Sequence, residues 1–308
     1  MGRYIIRRLL WMPVILLVVG LITFTLGLYG PGDPANVLLG QHNDPEAQAR
    51  IRAKWGLDQP FHEQFGGYVV RAVQGDFGES FKYRRDVSDL LASRIGVSMQ
   101  LALAALVLAF VIGIPVGTYA AYKQGTWLDR ATIGTALFGI SIPVFVLGPI
   151  LQLIFTRWLH VLPTAGWDGL FSLKIILPAV TLGIPAIAGI ARQTRASVLE
   201  VITQDYVRTA RSKGLPNRVV TTRHVLRNGL IPLLTIFGLM LGDLPAGALI
   251  VEGWFGIPGI GNLAFASIFA RDYPVIMATT LVIAASYVLA NLLIDISYSL
   301  ADPRIRYS

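Results

Sequence analysis

The chain has 308 residues, of which 54% are hydrophobic and 14% charged, with a formal net charge of +8 and no cysteine. A soluble chain carries about a quarter charged residues, and a mean hydropathy of +0.60 leaves more apolar side chains than one water-soluble core can take. Disulfide and thiolate chemistry are excluded, and the apolar excess calls for a lipid-facing surface.

In chain order, Arg3, Arg7 and Arg8 precede an apolar run from Leu9 to Leu28. The run is too long for a signal peptide and no Ala-x-Ala site follows, so it reads as a retained first membrane helix. Stretches free of Asp, Glu, Lys and Arg cover 9–32, 95–122, 131–156, 175–191 and 273–294, and 228–251 is broken only by Asp243. About 20 helical residues cross about 30 Å of hydrocarbon. The stretch 175–191 is short and holds Pro178 and Pro185, so it crosses only with help from its flanks. Six membrane helices are predicted, in an all-α protein; continuous rather than alternating apolar runs argue against a membrane barrel.

Basic residues near span ends set the orientation. With the N-terminus inside, the inner segments hold 15 bases: Arg3, Arg7, Arg8, Lys123, Arg130, eight between 192 and 229, Arg304 and Arg306. The short outer loops hold three, Arg157, Lys174 and Arg271. Both termini are therefore expected in the cytoplasm.

Segment 30–94 is expected outside the membrane as a small helical lobe, opening at the stiff turn Gly30-Pro31-Gly32-Asp33-Pro34. Asp44-Pro45-Glu46 looks like a helix start, and Ala49, Ile51, Trp55, Leu57, Phe61, Phe65, Tyr68 and Val69 recur at helical spacing. Gly75-Asp76-Phe77-Gly78 predicts a turn. The lobe either meets a soluble partner or caps the helices.

Segment 192–229 carries eight bases against two acids, Glu200 and Asp205. Val198, Ile202, Tyr206 and Ala210 form an apolar face, Gly214 and Pro216 interrupt it, and a second short helix is predicted from Asn217 through Asn228. Such a basic helix–turn–helix either anchors to anionic lipid or docks a cytoplasmic partner, Ala210 and Gly214 allowing close approach.

Within the spans Asp243 stands out. A charge at mid-bilayer costs about 2.5–3.5 kcal/mol on insertion scales, so it faces protein or water, either lining a pathway or held by a neighbouring helix. Asp295 lies near the inner end of the last span, where water or a base satisfies it. Gly113, Pro115 and Gly117 in one span, and Gly139, Pro143, Gly148 and Pro149 in the next, allow kinks and tight crossings.

No catalytic site emerges. His42, His62, His160 and His224 are scattered, with no His-Glu-x-x-His and no clustered metal-ligand set. None of the five lysines, Lys54, Lys82, Lys123, Lys174 and Lys213, follows a glycine, so there is no P-loop. An ion-coupled secondary transporter would need polar residues in broken helices, usually within internal repeats, and only Asp243 meets that description. A non-transporting membrane scaffold is the third possibility.

The stretch from Glu200 to Pro232 resembles the cytoplasmic coupling loop of ABC-importer permeases. The family's general motif has an acid, two alanines, three variable residues and a glycine; here only Ala210 and Gly214 match it, and Arg208 and Thr209 stand at the acid and first alanine. The peptide-permease form is closer, with Asp205-Tyr206, Arg208-Thr209-Ala210-Arg211, Lys213-Gly214, His224 and Arg227-Asn228. Pro31-Gly32-Asp33-Pro34, Gly75-Asp76-Phe77-Gly78, the run from Glu252 to Gly261, Arg271-Asp272-Tyr273-Pro274 and Asp302-Pro303-Arg304-Ile305-Arg306 also resemble that family, so nearly the whole chain is covered in order.

The resemblance is to the dipeptide/oligopeptide (peptide/nickel) ABC importers, and to the first of their two paired permeases. It implies a type I ABC importer permease fold. The expected organisation is a cytoplasmic N-terminus and first helix (1–29), an external lobe (30–94), and a five-helix core (95–308) with the coupling loop 192–229 between helices 4 and 5. Implied partners are a second homologous permease, two cytoplasmic ATPase subunits and an external substrate-binding protein. ATP and Mg would sit on the ATPases, with no cofactor on this chain. The implied docking residues are Asp205, Tyr206, Arg208, Ala210, Lys213 and Gly214, with Asp243 as possible pathway lining. Relatives carry dipeptides, oligopeptides, glutathione or nickel; with no cysteine and scattered histidines, peptides are expected here.

Overall fold

A computed structural model describes residues 2–29, 58–301 and positions 46, 48, 49, 52 and 53. The predicted turn at 30–34, most of the periodic stretch up to Leu57 and the segment 302–306 lie outside the described residues. Among the described residues the main helical elements follow one another in this order. They are α1 (Gly2–Tyr29), α2 (Phe61–Val73), α3 (Val87–Tyr122), α4 (Trp127–Ser141), α5 (Val144–Gln152), α6 (Ile176–Ile202), α7 (Asp205–Ser212), α8 (217–229), α9 (Ile231–Phe255), α10 (Ile260–Ala270) and α11 (Tyr273–Ala301). Among the described residues the sole strand-like pairing is a β-bridge of Glu79 with Asp86.

Four helices are long and apolar enough to cross a membrane, and six spans result if each of two bent pairs counts as one. The first bent pair covers the span expected over 131–156, broken at one of the prolines that allow a kink there. Ser141 ends α4, Ile142 is extended at φ −81° and ψ 119°, and the chain turns by 103° into α5 and its π-helical continuation Leu153–Trp158. Pro143 is the cause: it offers no N–H to α4 and forces Ile142 out of the helical region. The second bent pair turns by 81° between Phe255 and Ile260, where Gly256 takes a left-handed φ of 63° and Pro258 follows.

The short stretch 175–191 belongs to a helix of 27 residues, α6. Its charge-free part looked short because Arg192, Arg195 and Glu200 ride on the same continuous helix, and the connection proper starts only at Thr203. Likewise α3 begins at Val87 rather than at 95; at 36 residues it is about 54 Å long and projects beyond the hydrocarbon.

The most extensive helix contact is between α3 and α6. Gly113 and Gly117, one turn apart, make it possible: a Cβ on Gly113 would lie 2.8 Å from Ile190 Cγ2, and one on Gly117 would collide with the Ala191 carbonyl. Without a hydrophobic force between helices in lipid, such close approach and the dispersion contacts it brings hold the pair together. The main core lies where α3, α5, α6 and α9 meet, around Leu101, Leu147, Leu177, Val251 and Phe255.

The bundle has two distinct ends. One, the basic end, gathers the start of α1, the 123–126 turn, the 203–229 hairpin and the end of α11; Tyr122 Oη lies 2.7 Å from Thr221 Oγ1 there. The opposite end gathers α2, the 74–86 turn, the loop 159–172 and the two corners at 256–259 and 271–272. Aromatic packing of Phe24 on Phe61, Phe65 and Tyr68 joins α1 to α2 at this end, and the loop 159–172 is stitched to α9 by Gly166 N–H donating to the Phe255 carbonyl at 2.8 Å.

Candidate functional site

The hairpin at the basic end is built from α7 and α8. Gly214 ends α7 in a left-handed conformation, φ 74°, with open space where a Cβ would stand. What glycine supplies here is therefore the turn, not close approach within this chain. Pro216 precedes α8, whose middle, Val220–Leu226, is π-helical.

The hairpin is seated, not dangling. Val207 and Ala210 from α7 and Val220 and Val225 from α8 bury against Ala121 at the end of α3 and Val198 in α6. Asn228 Nδ2 donates to Tyr206 Oη at 2.9 Å, closing α8 onto α7. A single apolar cluster thus ties the hairpin to α3 and α6, while α8 runs almost directly into α9.

The other face of the hairpin is polar and open. Asp205, Tyr206, Arg208, Lys213 and Gly214 are exposed, whereas Ala210 points inward. Of the six residues singled out from sequence, five stand on one surface and Ala210 helps to seat it. Asp205 and Arg208 pair along the helix at 3.4 Å, but both are so exposed that the pair orients rather than stabilises. Asp243 lies near the middle of α9, far along the chain from this surface, and its side chain lies outside the described residues.

Buried carboxylates at both ends of the bundle were not found from sequence. Asp129, in the first turn of α4, accepts from Arg195 Nε at 2.5 Å and from Arg195 Nη2 at 2.8 Å, and from the Gly125 N–H at 3.0 Å. The carboxylate side chain is only 4% exposed. This fork-on-fork pair fixes the start of α4 to α6 near the basic end. The sequence signal was present: an acid and a base, each within four residues of a charge-free run, at the same predicted end.

The second device is at the opposite end. Glu252 is fully buried and accepts from the Asn262 N–H at 3.1 Å, capping the first turn of α10. Gly259 and Gly261 are required by it: a Cβ on Gly259 would strike the Glu252 carboxylate, and one on Gly261 the backbone of Leu249. The family-like run from Glu252 to Gly261 is thus a helix corner built around one carboxylate. Ser98 of α3 holds the same corner, accepting from the Ile260 N–H at 2.8 Å.

Asp272, also fully buried, accepts from Ser80 Oγ at 2.5 Å, the Phe81 N–H at 3.0 Å and the Lys82 N–H at 3.1 Å. The two motifs Gly75–Gly78 and Arg271–Pro274, far apart in sequence, therefore flank one contact.

Comparison with known proteins agrees with this geometry. Residues 113–307 match the family described as binding-protein-dependent transport system inner membrane component, and residues 1–102 match the N-terminal unit of such membrane components. The glutathione transport system permease protein GsiC of Escherichia coli (strain K12) is 41% identical over 307 residues, covering all of both chains; that of Salmonella typhi is 40% identical over the same length. A chain of the inward-facing MetNI methionine ABC transporter superposes with a TM-score of 0.55 at 20% identity, over 69% of this chain and 96% of that one. An amino acid ABC transporter gives 0.51 at 16% identity, over 71% and 95%. The fold is that of the type I ABC importer permeases, and the chain belongs to the family of binding-protein-dependent inner-membrane transport components, as an ABC importer permease.

Proposed function

We propose that this permease forms half of a translocation pathway for short peptides, glutathione among them, and that its basic hairpin docks on a cytoplasmic ATPase subunit. The observation that carries the coupling role is the seating of the hairpin. Its apolar side is shared with α3 and α6 through Ala121, Val198, Val207, Ala210, Val220 and Val225, while Asp205, Tyr206, Arg208 and Lys213 face outward. A push on the outer face moves a body packed on two spanning helices, because a close-packed cluster transmits displacement rather than absorbing it. Ala210 and Gly214 shape the hairpin; the exposed charges orient the docking.

In this reading the basic end faces the cytoplasm, as the distribution of Lys and Arg favours, and both termini are inside. The lobe between α1 and α3 then lies on the outer side, where a substrate-binding protein delivers cargo. A second, homologous permease completes the pathway. With no P-loop in this chain, ATP and Mg belong to the ATPase subunits. The full-length relatives are permeases of glutathione transport systems, and glutathione is itself a short peptide, which supports the cargo class.

The test is uptake into vesicles holding this chain with its partner subunits and binding protein. Labelled dipeptides, oligopeptides, glutathione and nickel are compared, with an ATPase-dead complex as control. ATP-dependent entry of a peptide, lost in the control, is the expected result. Nickel entry alone would overturn the cargo, and failure of any ATPase to associate would overturn the coupling role of the hairpin.

A further inference from the structure

Helix α2 has three sides. At about 100° per residue, Phe61, Phe65 and Tyr68 form one stripe, which packs on Phe24 of α1 with ring centroids 5.8, 5.6 and 5.3 Å away. Glu63, Gly67 and Arg71 share a second, exposed side. Gly66, Val70 and Val73 share the third, where Val70 is 58% and Val73 83% exposed and a Cβ on Gly66 would meet nothing within 4 Å. Val69, half-buried, joins this third side to the stripe. The apolar arc is therefore wider than α1 covers, and its uncovered part is set apart from Glu63 and Arg71. A helix whose apolar arc served only to pack on protein would be polar over that remainder.

The same contact sets the depth of α2. Helix α1 is long and apolar enough to cross the membrane as far as Tyr29, and Phe24 lies roughly 7.5 Å inside that end. Tyr29 stacks on Phe61 at 6.2 Å, so α2 starts beside the end of α1 and crosses it at the level of Phe24. Helices that lie in a membrane interface sit about 5–10 Å into the boundary between headgroups and acyl chains, which is the same level. Ile22 and Leu26, to either side of Phe24 along α1, are exposed. The lipid-facing surface of α1 thus continues, at this depth, into the uncovered side of α2.

We propose that α2 is an interfacial helix: its Gly66, Val70 and Val73 side lies among the lipids of the leaflet at this end, and its Glu63, Gly67 and Arg71 side faces water. His62 falls on the apolar side only in the first turn, where a ring with an apolar body and a polar tip suits the headgroup level. The lobe then rests on the bilayer as well as on α1, which fixes its height for a soluble partner arriving from the water. The inference needs only that α1 spans the membrane; it holds whatever the cargo and whichever end is outside.

Spin labels on the transporter in lipid nanodiscs test this. The chain has no cysteine, so with the other subunits also freed of cysteine, single labels are placed through Val70→Cys, Val73→Cys, Gly67→Cys and Arg71→Cys, with Leu26→Cys as the lipid-facing reference. Two relaxing agents are compared: oxygen, which concentrates among acyl chains, and chromium oxalate, which stays in water. At 70 and 73 oxygen collisions should exceed those of chromium oxalate, as at 26; at 67 and 71 the order should reverse. Chromium oxalate collisions equal to or above those of oxygen at 70 and 73 would put that side in water and overturn the proposal. Low collision with both agents would mean that polypeptide covers it, and would overturn the proposal as well. Gly66→Cys, with open space for its label, gives a third position on the same side and must agree with 70 and 73.

Discussion

Glycines with and without neighbours separate two kinds of single-residue constraint. Gly117 is pressed on α6 backbone, so Gly117→Leu must separate α3 from α6; a large loss of folded protein in a detergent thermal-unfolding assay is expected. Gly134 in α4 has nothing near it, and Gly134→Ala should leave the melting temperature unchanged or raise it slightly, since alanine favours helix by about 1 kcal/mol. Gly214 is open in space but fixed in angle. Gly214→Ala should cost roughly 1–2 kcal/mol of hairpin stability through the left-handed backbone, read as faster hydrogen exchange across 205–228 with the spans unaffected. The Asp129–Arg195 pair behaves differently again, because removing one partner strands a buried charge. Asp129→Leu alone should destabilise by about 3–5 kcal/mol, and adding Arg195→Met should recover most of it. Unfolding of the two single variants and the double variant measures the coupling.

At the scale of elements, the hairpin should act as a rigid body. Ala210→Leu overfills a closed cluster, at about 1–3 kcal/mol, and should lower peptide imported per ATP hydrolysed. Arg208→Ala touches only the exposed face and should instead weaken ATPase association in a salt-dependent way. Hydrolysis and uptake measured in the same vesicles distinguish these outcomes. Elements were the most legible level of the sequence. Charge-free runs located the four unbroken spans and the first bent pair, whereas the second bent pair begins where the run 228–251 ends, and the glycine and proline at 214 and 216 placed the hairpin turn. The limits of the runs misled wherever charge entered a helix: Arg192 and Arg195 concealed the rest of α6, and Asp89 and Arg94 the start of α3. Pro143 marked a possible kink, but the size of the break at Ile142, 103°, was not legible in a continuously apolar run. The outer face of the hairpin was also legible, but its seating was not, because the cluster joins Ala121 to residues some eighty or more positions later, and periodicity reports only on neighbours within one helix.

Among the described residues, polar contacts concentrate at the two ends and small residues in the middle, as lipid demands: backbone groups are satisfied within helices, and the buried carboxylates of Asp129, Glu252 and Asp272 all accept hydrogen bonds. Asp272→Ala removes the acceptor for three donors in residues 80–82 and should cost about 3 kcal/mol or more. The expected result is faster proteolysis within the 74–86 turn with the spans still protected. That same contact has a meaning for how the protein is made. Ser80 leaves the ribosome 192 positions before the carboxylate that completes its fold, and at typical synthesis rates that interval is on the order of ten seconds or more. During it, four spans and the hairpin are synthesised while the 74–86 turn lacks its Asp272 contact. A nascent chain stopped short of α10 should be clipped in the lobe by an outer-face protease, and one released just past Asp272 should resist. The 74–86 turn is thus finished late although it is translated early, and its protease resistance reports on whether the chain has been completed as far as Asp272.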